Sequence, residues 1–185
     1  FLPFNKGNND GAGNPPNPDG IKTDYLWKEI LTKESLSNIL ENYSQVVEKI
    51  DRKTNKVVGE TMIFPRYHQL TVVRKLLADT LRNEVGKRYL IQHSAGSGKS
   101  NSIAWLAYQL VKLEKSGKTF FDSIIVVTDR VNLDRQIRDT IRQFMQERSV
   151  VGWADDSSTL GSLLNAGKKI IITTIHKFPF ILSSI

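Results

Sequence analysis

The 185-residue chain is 39% hydrophobic and 24% charged, which is typical of a globular protein with a sizeable core. It contains no cysteine, so disulfides and thiolate metal sites are excluded. No apolar run approaches the ~20 residues of a membrane span, and we expect no membrane partner. The net charge of +7 fits a polyanionic partner, although a basic surface without clustering gives the same sum.

Composition divides the chain into three predicted parts. Residues 1–22 are rich in Asn, Gly and Pro, as in a linker or a surface loop. Residues 23–64 predict a small helical and hairpin lead-in. Residues 65–185 predict a longer domain in which helices and strands alternate. Because the first residue is Phe rather than Met, we expect the chain to be a piece of a longer protein.

The lead-in begins with a helical pattern. Apolar residues recur at three- and four-residue spacing as far as Ile50, which predicts helix, with Thr32 as an N-cap. Short extended segments are predicted at Val57–Val58 and Met62–Phe64. None of these residues indicates catalytic chemistry.

A longer helix is predicted from about Arg66 to Val85, and Gly86 suits its end. Gln69 lies at its start. The amide of Gln69 is able to pair with the edge of an adenine, as glutamine does with adenine elsewhere. The ordinary alternative is a solvated surface glutamine.

A candidate phosphate-binding loop follows the apolar run Tyr89–Gln92, which predicts a strand. The loop ends in Lys-Ser at the head of a helical pattern, and only its first position, His93, departs from the strict G-x-x-x-x-G-K-[ST] pattern. We expect Lys99 to contact the β and γ phosphates and Ser100 to hold Mg²⁺. The predicted nucleotide contacts in the loop are Ser94, Ala95, Gly96, Ser97, Gly98, Lys99 and Ser100.

Two β-branched runs predict buried strands, at Ser123–Thr128 and Lys169–Ile175. Between them we expect a helix from Asn132, a short strand at 149–153 and a helix at 157–166. This alternation predicts a mostly parallel sheet with helices on both faces, an α/β fold that binds nucleotide.

Polar residues follow the first of these strands. In an open α/β sheet, ligands bind outside the carboxyl ends of the strands, so Thr128 and Arg130 are predicted to share a rim with the phosphate loop. A nucleic-acid backbone crossing that rim would meet hydroxyl and guanidinium groups. Arg135, Arg138 and Arg142 share one face of the next predicted helix, and for them contact with nucleic acid and a solvated arginine face are equal alternatives. His176 is interpreted as structural or solvated rather than catalytic.

Several segments together resemble a known family. The phosphate loop, Thr128-Asp129-Arg130 and Ile172–Phe178 are similar to successive motifs of superfamily 2 helicase-like motors. More narrowly, the chain resembles the restriction (R) subunit of type I restriction–modification enzymes. The segments that carry this narrower resemblance are Phe1–Gly7, Phe64–Gln69, Leu90–Ala107 and Phe121–Arg130.

The resemblance implies a bacterial or archaeal cytoplasmic enzyme that uses ATP and Mg²⁺ to pull duplex DNA past a complex with modification and specificity subunits. The full-length protein would be an ATP-dependent, site-specific deoxyribonuclease. This chain would be its first RecA-like P-loop lobe, preceded by a linker from a nuclease domain. The resemblance makes Gln69 the adenine-reading glutamine, and it places Thr128, Arg130 and Thr174 on the surface that tracks DNA.

The resemblance also implies parts that the sequence lacks. The Asp-Glu-x-His motif, which would bind Mg²⁺ and position water, does not occur in the 185 residues. We therefore expect the chain alone neither to hydrolyse ATP at a useful rate nor to cut DNA. The alternatives are another superfamily 2 helicase or remodeller, a type III restriction motor, or a nucleotide-binding module without a motor role.

Overall fold

The computed structural model describes residues 4–9, 11–51, 54, 56–129, 137–141 and 150–183. They form two compact units, Phe1–Val72 and Val73–Ile185. Within the described part of the chain, no helix is long and apolar enough to cross a membrane.

The first unit contains helix α1 (Lys33–Asn42) and the antiparallel strands β1 (Gln45–Ile50) and β2 (Val57–Ile63). The Thr32 hydroxyl accepts the Ser35 N–H at 3.3 Å, which confirms the predicted N-cap. The prediction of helix as far as Ile50 is wrong. The helix ends at Asn42, and the β-branched pair Val46–Val47 lies in β1 opposite β2, where side-chain branching at Cβ costs less than in a helix.

The Asn/Gly/Pro-rich start of the chain folds back on itself. The Gly7 N–H donates to the Gly13 carbonyl at 2.8 Å, and the Tyr25 hydroxyl lies 2.9 Å from the Phe4 carbonyl. The Phe4 ring packs edge-on against Tyr67, with centroids 5.8 Å apart. Aromatic contacts therefore fix the described part of a segment whose composition predicts a linker.

The second unit is built around a parallel three-stranded sheet in the order β5 (Ile124–Thr128), β7 (Ile170–Thr174), β6 (Val151–Trp153). The connecting elements are helix α3 (Lys99–Val111), a small hairpin of β3 (Glu114–Lys115) and β4 (Lys118–Thr119), and helix α4 (Ser157–Asn165). Helix α2 (Tyr67–Asn83) precedes them, close to its predicted bounds. After β7 the chain continues as a 3₁₀ helix, Ile175–Ser183.

Helices cover both faces of the sheet. On one face α3 and the helical residues 137–141 pack against β5 and β7; on the other α4 packs against β7. The first core cluster includes Ala104, Ala107, Val126, Ile137, Ile141 and Ile172; the second comprises Ala154, Leu160 and Ile171. The predicted α/β fold with helices on both faces is confirmed, and it corresponds to part of a RecA-like lobe.

The two predicted long strands differ in their surroundings. All five residues of β7 are buried, as predicted. In β5 the side chains alternate, and Ile125 and Val127 are 39% and 44% exposed. The expectation that this strand is buried on both faces is therefore wrong, because α3 covers one face while α4 lies over β7 and β6 on the other.

Candidate nucleotide-binding site

The loop before α3 is shaped by two glycines. Gly96 and Gly98 have φ of 71° and 82°, the left-handed region that glycine adopts without a Cβ penalty. Gly98 is the residue from which α3 starts, and the Ser97 N–H donates to the Ser94 carbonyl at 3.3 Å. No atom lies within 4 Å of the position that a Cβ would take at Gly96. The backbone thus makes an open turn at the positive end of a 13-residue helix.

The Lys99 ammonium lies against this loop. Its Nζ donates to the carbonyl oxygens of Ser94 at 2.8 Å and His93 at 3.2 Å. The Lys99 side chain is exposed, so its ammonium group lies at the surface of the turn. An ammonium beside a glycine-rich turn and a helix N-terminus is a donor set that fits a triphosphate.

Ser100 is the second residue of α3 and is partly buried. Within the described ranges, no group of three or more His, Asp or Glu residues could hold a metal ion. A magnesium ion bound here would take the Ser100 hydroxyl together with phosphate and water oxygens, a set that Mg²⁺ accepts. The Ser100 hydroxyl is the described group of the loop that would contact such an ion.

The segment before the loop, residues 88–92, differs from the prediction of a strand. It has no strand pairing, and Leu90 is 95% exposed. Instead, the Tyr89 hydroxyl donates to Asp79 of α2 at 2.6 Å, and Lys87 lies 3.3 Å from the same carboxylate. The Tyr89 hydrogen bond holds the pKa of Asp79 below its ordinary value and raises the pKa of Tyr89.

Asp79 was not predicted as a site residue. It lies ten positions before Tyr89 and belongs to no motif, so no pattern in the sequence indicates the contact. The structure shows that it is the carboxylate to which the segment leading to the loop is attached.

Gln69 is buried, with 3% of its surface exposed, so it is not the solvated glutamine of the alternative reading. Its Oε1 accepts the Arg66 N–H at 2.9 Å. Gln69 is the third residue of α2, so its side chain accepts the backbone N–H of the N-cap residue, as the third residue does in a capping box. The cap gives the amide a defined orientation at the start of the helix. Contact with adenine stays a prediction.

Thr128 and Thr174 end β5 and β7 and are direct register partners. Both are buried, and the Thr128 hydroxyl lies 3.5 Å from the Thr173 carbonyl, within reach of a weak hydrogen bond. The structure brings the two threonines together at one end of the sheet, where little of either residue is exposed. Arg130, the third predicted DNA contact, lies outside the described residues, as do Arg135 and Arg142.

Other polar residues near this end of the sheet have structural partners. The Lys177 ammonium donates to the Ala154 carbonyl, and Ser157 donates to the Lys177 carbonyl at 2.9 Å. Arg138 is paired with Asp155 at 2.9 Å and lies over the Trp153 ring. Arg138 therefore helps to fix the fold rather than forming a fully solvated arginine face.

Comparison with known proteins agrees with this geometry. None of the curated proteins compared with the chain matches it. The model of one family, described as SWI2/SNF2 ATPase, matches residues 68–183, well over half of the chain. That range includes Gln69, the whole phosphate loop and the parallel sheet. The chain therefore belongs to the SWI2/SNF2 ATPase family, and its α/β unit is a superfamily 2 helicase-like motor lobe.

Proposed function

We propose that the chain is the ATP-binding first motor lobe of the DNA-translocating restriction subunit of a type I restriction–modification enzyme. Membership of the SWI2/SNF2 ATPase family supports the motor role. The narrower role rests on the resemblance of segments beyond the phosphate loop: Phe1–Gly7, Phe64–Gln69 and Phe121–Arg130. The full-length protein would act on duplex DNA together with modification and specificity subunits.

The observation that carries the ATP-binding role is the position of the Lys99 ammonium. It lies against the Ser94 and His93 carbonyls, on an open glycine turn at the head of α3. When bound, ATP supplies the phosphoryl transfer that drives a motor of this kind. Lys99 would hold the β and γ phosphates, and Ser100 would contact the accompanying Mg²⁺.

Two further roles extend this proposal. The Arg66–Gln69 cap fixes the Gln69 amide, and a fixed amide is what recognition of an adenine edge requires. Thr128 and Thr174 lie side by side at the carboxyl ends of their strands, where ligands of open α/β sheets bind. We propose that DNA passes this edge and meets backbone groups there, together with Arg130.

Calorimetric titration with ATP and Mg²⁺ tests the proposal, with binding rather than turnover as the readout because the sequence lacks the Asp-Glu-x-His motif. We expect the unmodified chain to bind ATP and Lys99→Ala to lose the binding. Lys118→Ala is the matched control, because Lys118 is exposed in β4 and α3 alone is about 20 Å long. ATP binding that is the same in the Lys99 variant and the control would contradict the assignment.

A second candidate is a DNA-translocating remodeller outside restriction systems. The observation that favours it is the family match itself, which is to SWI2/SNF2 ATPases in general. The two candidates differ in what the complete reading frame encodes. A nuclease domain immediately before this segment would support the restriction subunit, and its absence from the complete frame would support the remodeller.

A further inference from the structure

The amino ends of the strands lie opposite the phosphate loop and carry a cluster of basic residues. We call this surface the basic end and define it as residues 82–88, 112–122 and 168–169. Backbone and side-chain contacts hold the three segments together: Ser123 donates to the Lys168 carbonyl at 2.7 Å, and Lys115 pairs with Glu84 at 2.7 Å. The Phe120 N–H also donates to the Leu113 carbonyl at 2.9 Å, which closes the hairpin on the end of α3.

The basic end holds most of the excess positive charge of the molecule. Its three segments contain eight Lys or Arg and three Asp or Glu, in a chain with a net charge of +7. The described residues at the other end of the sheet, in 93–99, 128–129, 138, 154–156 and 174–177, contain two Lys, one Arg and three Asp. Among the residues that the structure describes, the excess positive charge is therefore concentrated away from the nucleotide site.

The β3–β4 hairpin presents this charge on a defined turn. Ser116 and Gly117 have φ of 54° and 75°, as a two-residue hairpin turn requires, and Lys115 and Lys118 are direct cross-strand partners. Like charges held directly opposite one another are unfavourable in a sheet. Glu84 offsets part of that repulsion, and an external polyanion would offset the rest.

The composition of the surface favours nucleic acid over an acidic protein. All six hairpin residues are exposed, and all but Gly117 have polar side chains, whereas the centre of a protein–protein interface is usually apolar or aromatic. Val85 is an exposed apolar side chain at the basic end, and the contacting rings of Phe120 and Phe121 are partly buried. The exposed apolar residues 89–91 follow directly after this surface, so its charge is carried chiefly by the hairpin and the lysines beside it. Interfaces with DNA are polar and strongly positive, as this surface is.

We infer that the basic end is a second binding surface for the phosphate backbone of duplex DNA. Helix α3, with its 13 residues, separates the basic end from the phosphate loop by about 20 Å. The inference rests on the proposed DNA motor for its choice of partner, and it adds a contact that the nucleotide-proximal edge does not provide. Lys112, Lys115 and Lys118 would each neutralise a phosphate.

Fluorescence anisotropy with a short DNA duplex, without nucleotide and at several salt concentrations, tests this surface. The test variant is Lys112→Gln/Lys115→Gln/Lys118→Gln. The matched control, Lys33→Gln/Lys49→Gln/Lys56→Gln, removes the same charge from exposed positions of the first unit. For the test variant we expect affinity to fall on the order of tenfold and the slope of log K against log salt to fall by up to about 2.7, roughly 0.9 for each lysine.

Equal slopes for the test variant and the control would overturn the inference, and so would tighter binding of poly-glutamate than of DNA to the basic end. If the triple variant does not fold, Lys118→Gln alone should still lower the slope by about 0.9. Failure of the proposed motor role is separable. Loss of ATP binding in every form, with the lysine-dependent salt slope intact, would refute the nucleotide site and leave this surface in place.

Discussion

Residues 170–174 and residues 89–91 are apolar runs that both predict a strand, and they have opposite surroundings in the structure. In β7 every side chain is buried, because β5 and β6 pair with it on either side and helices cover both faces. In the segment before the phosphate loop, Leu90 is 95% exposed and no strand pairing is formed. An apolar run therefore indicates a capacity for burial, and its neighbours decide whether burial occurs.

The largest difference is expected from truncating one residue in each run. Ile172→Ala would remove a fully buried side chain that packs with Ala104 and Val126, and we expect the free energy of unfolding to fall by about 2–4 kcal/mol. Leu90→Ala should change it by less than about 0.5 kcal/mol, because the side chain is already in water. Urea unfolding of both variants makes the measurement. Equal losses would mean that residues 89–91 are buried in solution.

A smaller effect is expected at the edge of the same sheet, where Gly152 of β6 faces Leu163 of α4. A Cβ at position 152 would lie 2.7 Å from a Leu163 methyl carbon, closer than the two atoms tolerate. Leu163 must then move, and we expect Gly152→Ala to lower the free energy of unfolding by about 1–2 kcal/mol. The double variant with Leu163→Ala provides the check. It should cost less than the two single variants added together, and strict additivity would contradict the contact.

The comparison also shows how far sequence patterns predict this fold. β-branched runs predict β5 and β7, and glycine with Lys-Ser before a helical pattern predicts the loop and α3, because each of these signals is local. The same reasoning is wrong at Val46–Val47, where helical spacing and β-branching coincide and pairing with β2 decides. It is also wrong for the outer face of β5, because exposure there depends on where α4 packs.

Prediction of the candidate site from the sequence is limited in the same way, because local motifs are visible in the sequence and tertiary contacts are not. The positions of Lys99 and Ser100 at the head of α3 follow from the motif. The Gln69 cap was open to prediction, since glutamine at the third position of a helix is a known capping pattern. The Asp79–Tyr89 contact could not be predicted from the sequence, because it joins two elements whose approach is set by tertiary structure. The burial of Thr128 and Thr174 depends likewise on tertiary packing at the ends of β5 and β7.

The smallest effect is expected at residues 88–92, the exposed segment before the phosphate loop, where polar contacts with Asp79 hold the chain in place. The side chain of Asp79 accepts from Tyr89 at 2.6 Å and from Asn83 at 2.7 Å, so polar contacts hold residues 88–92 where apolar packing holds β7. These contacts keep the pKa of Asp79 below its ordinary value of 3.8. The stabilisation is therefore present above that value and is lost as the pH falls through the lowered pKa. We expect the NMR chemical shifts of residues 88–92 to move towards random-coil values over that acidic range.

The variant Tyr89→Phe isolates this hydrogen bond, because it removes only the hydroxyl. We expect it to raise the pKa of the Asp79 carboxyl towards 3.8 in an NMR titration, since its largest cause of depression is gone. Tyr108→Phe is the matched control, because the hydroxyl of Tyr108 is bonded to Lys112 and not to Asp79. An unchanged Asp79 titration in Tyr89→Phe would show that Lys87 and Asn83 alone set the pKa. The Tyr89–Asp79 hydrogen bond would then not be the contact that holds residues 88–92 in place.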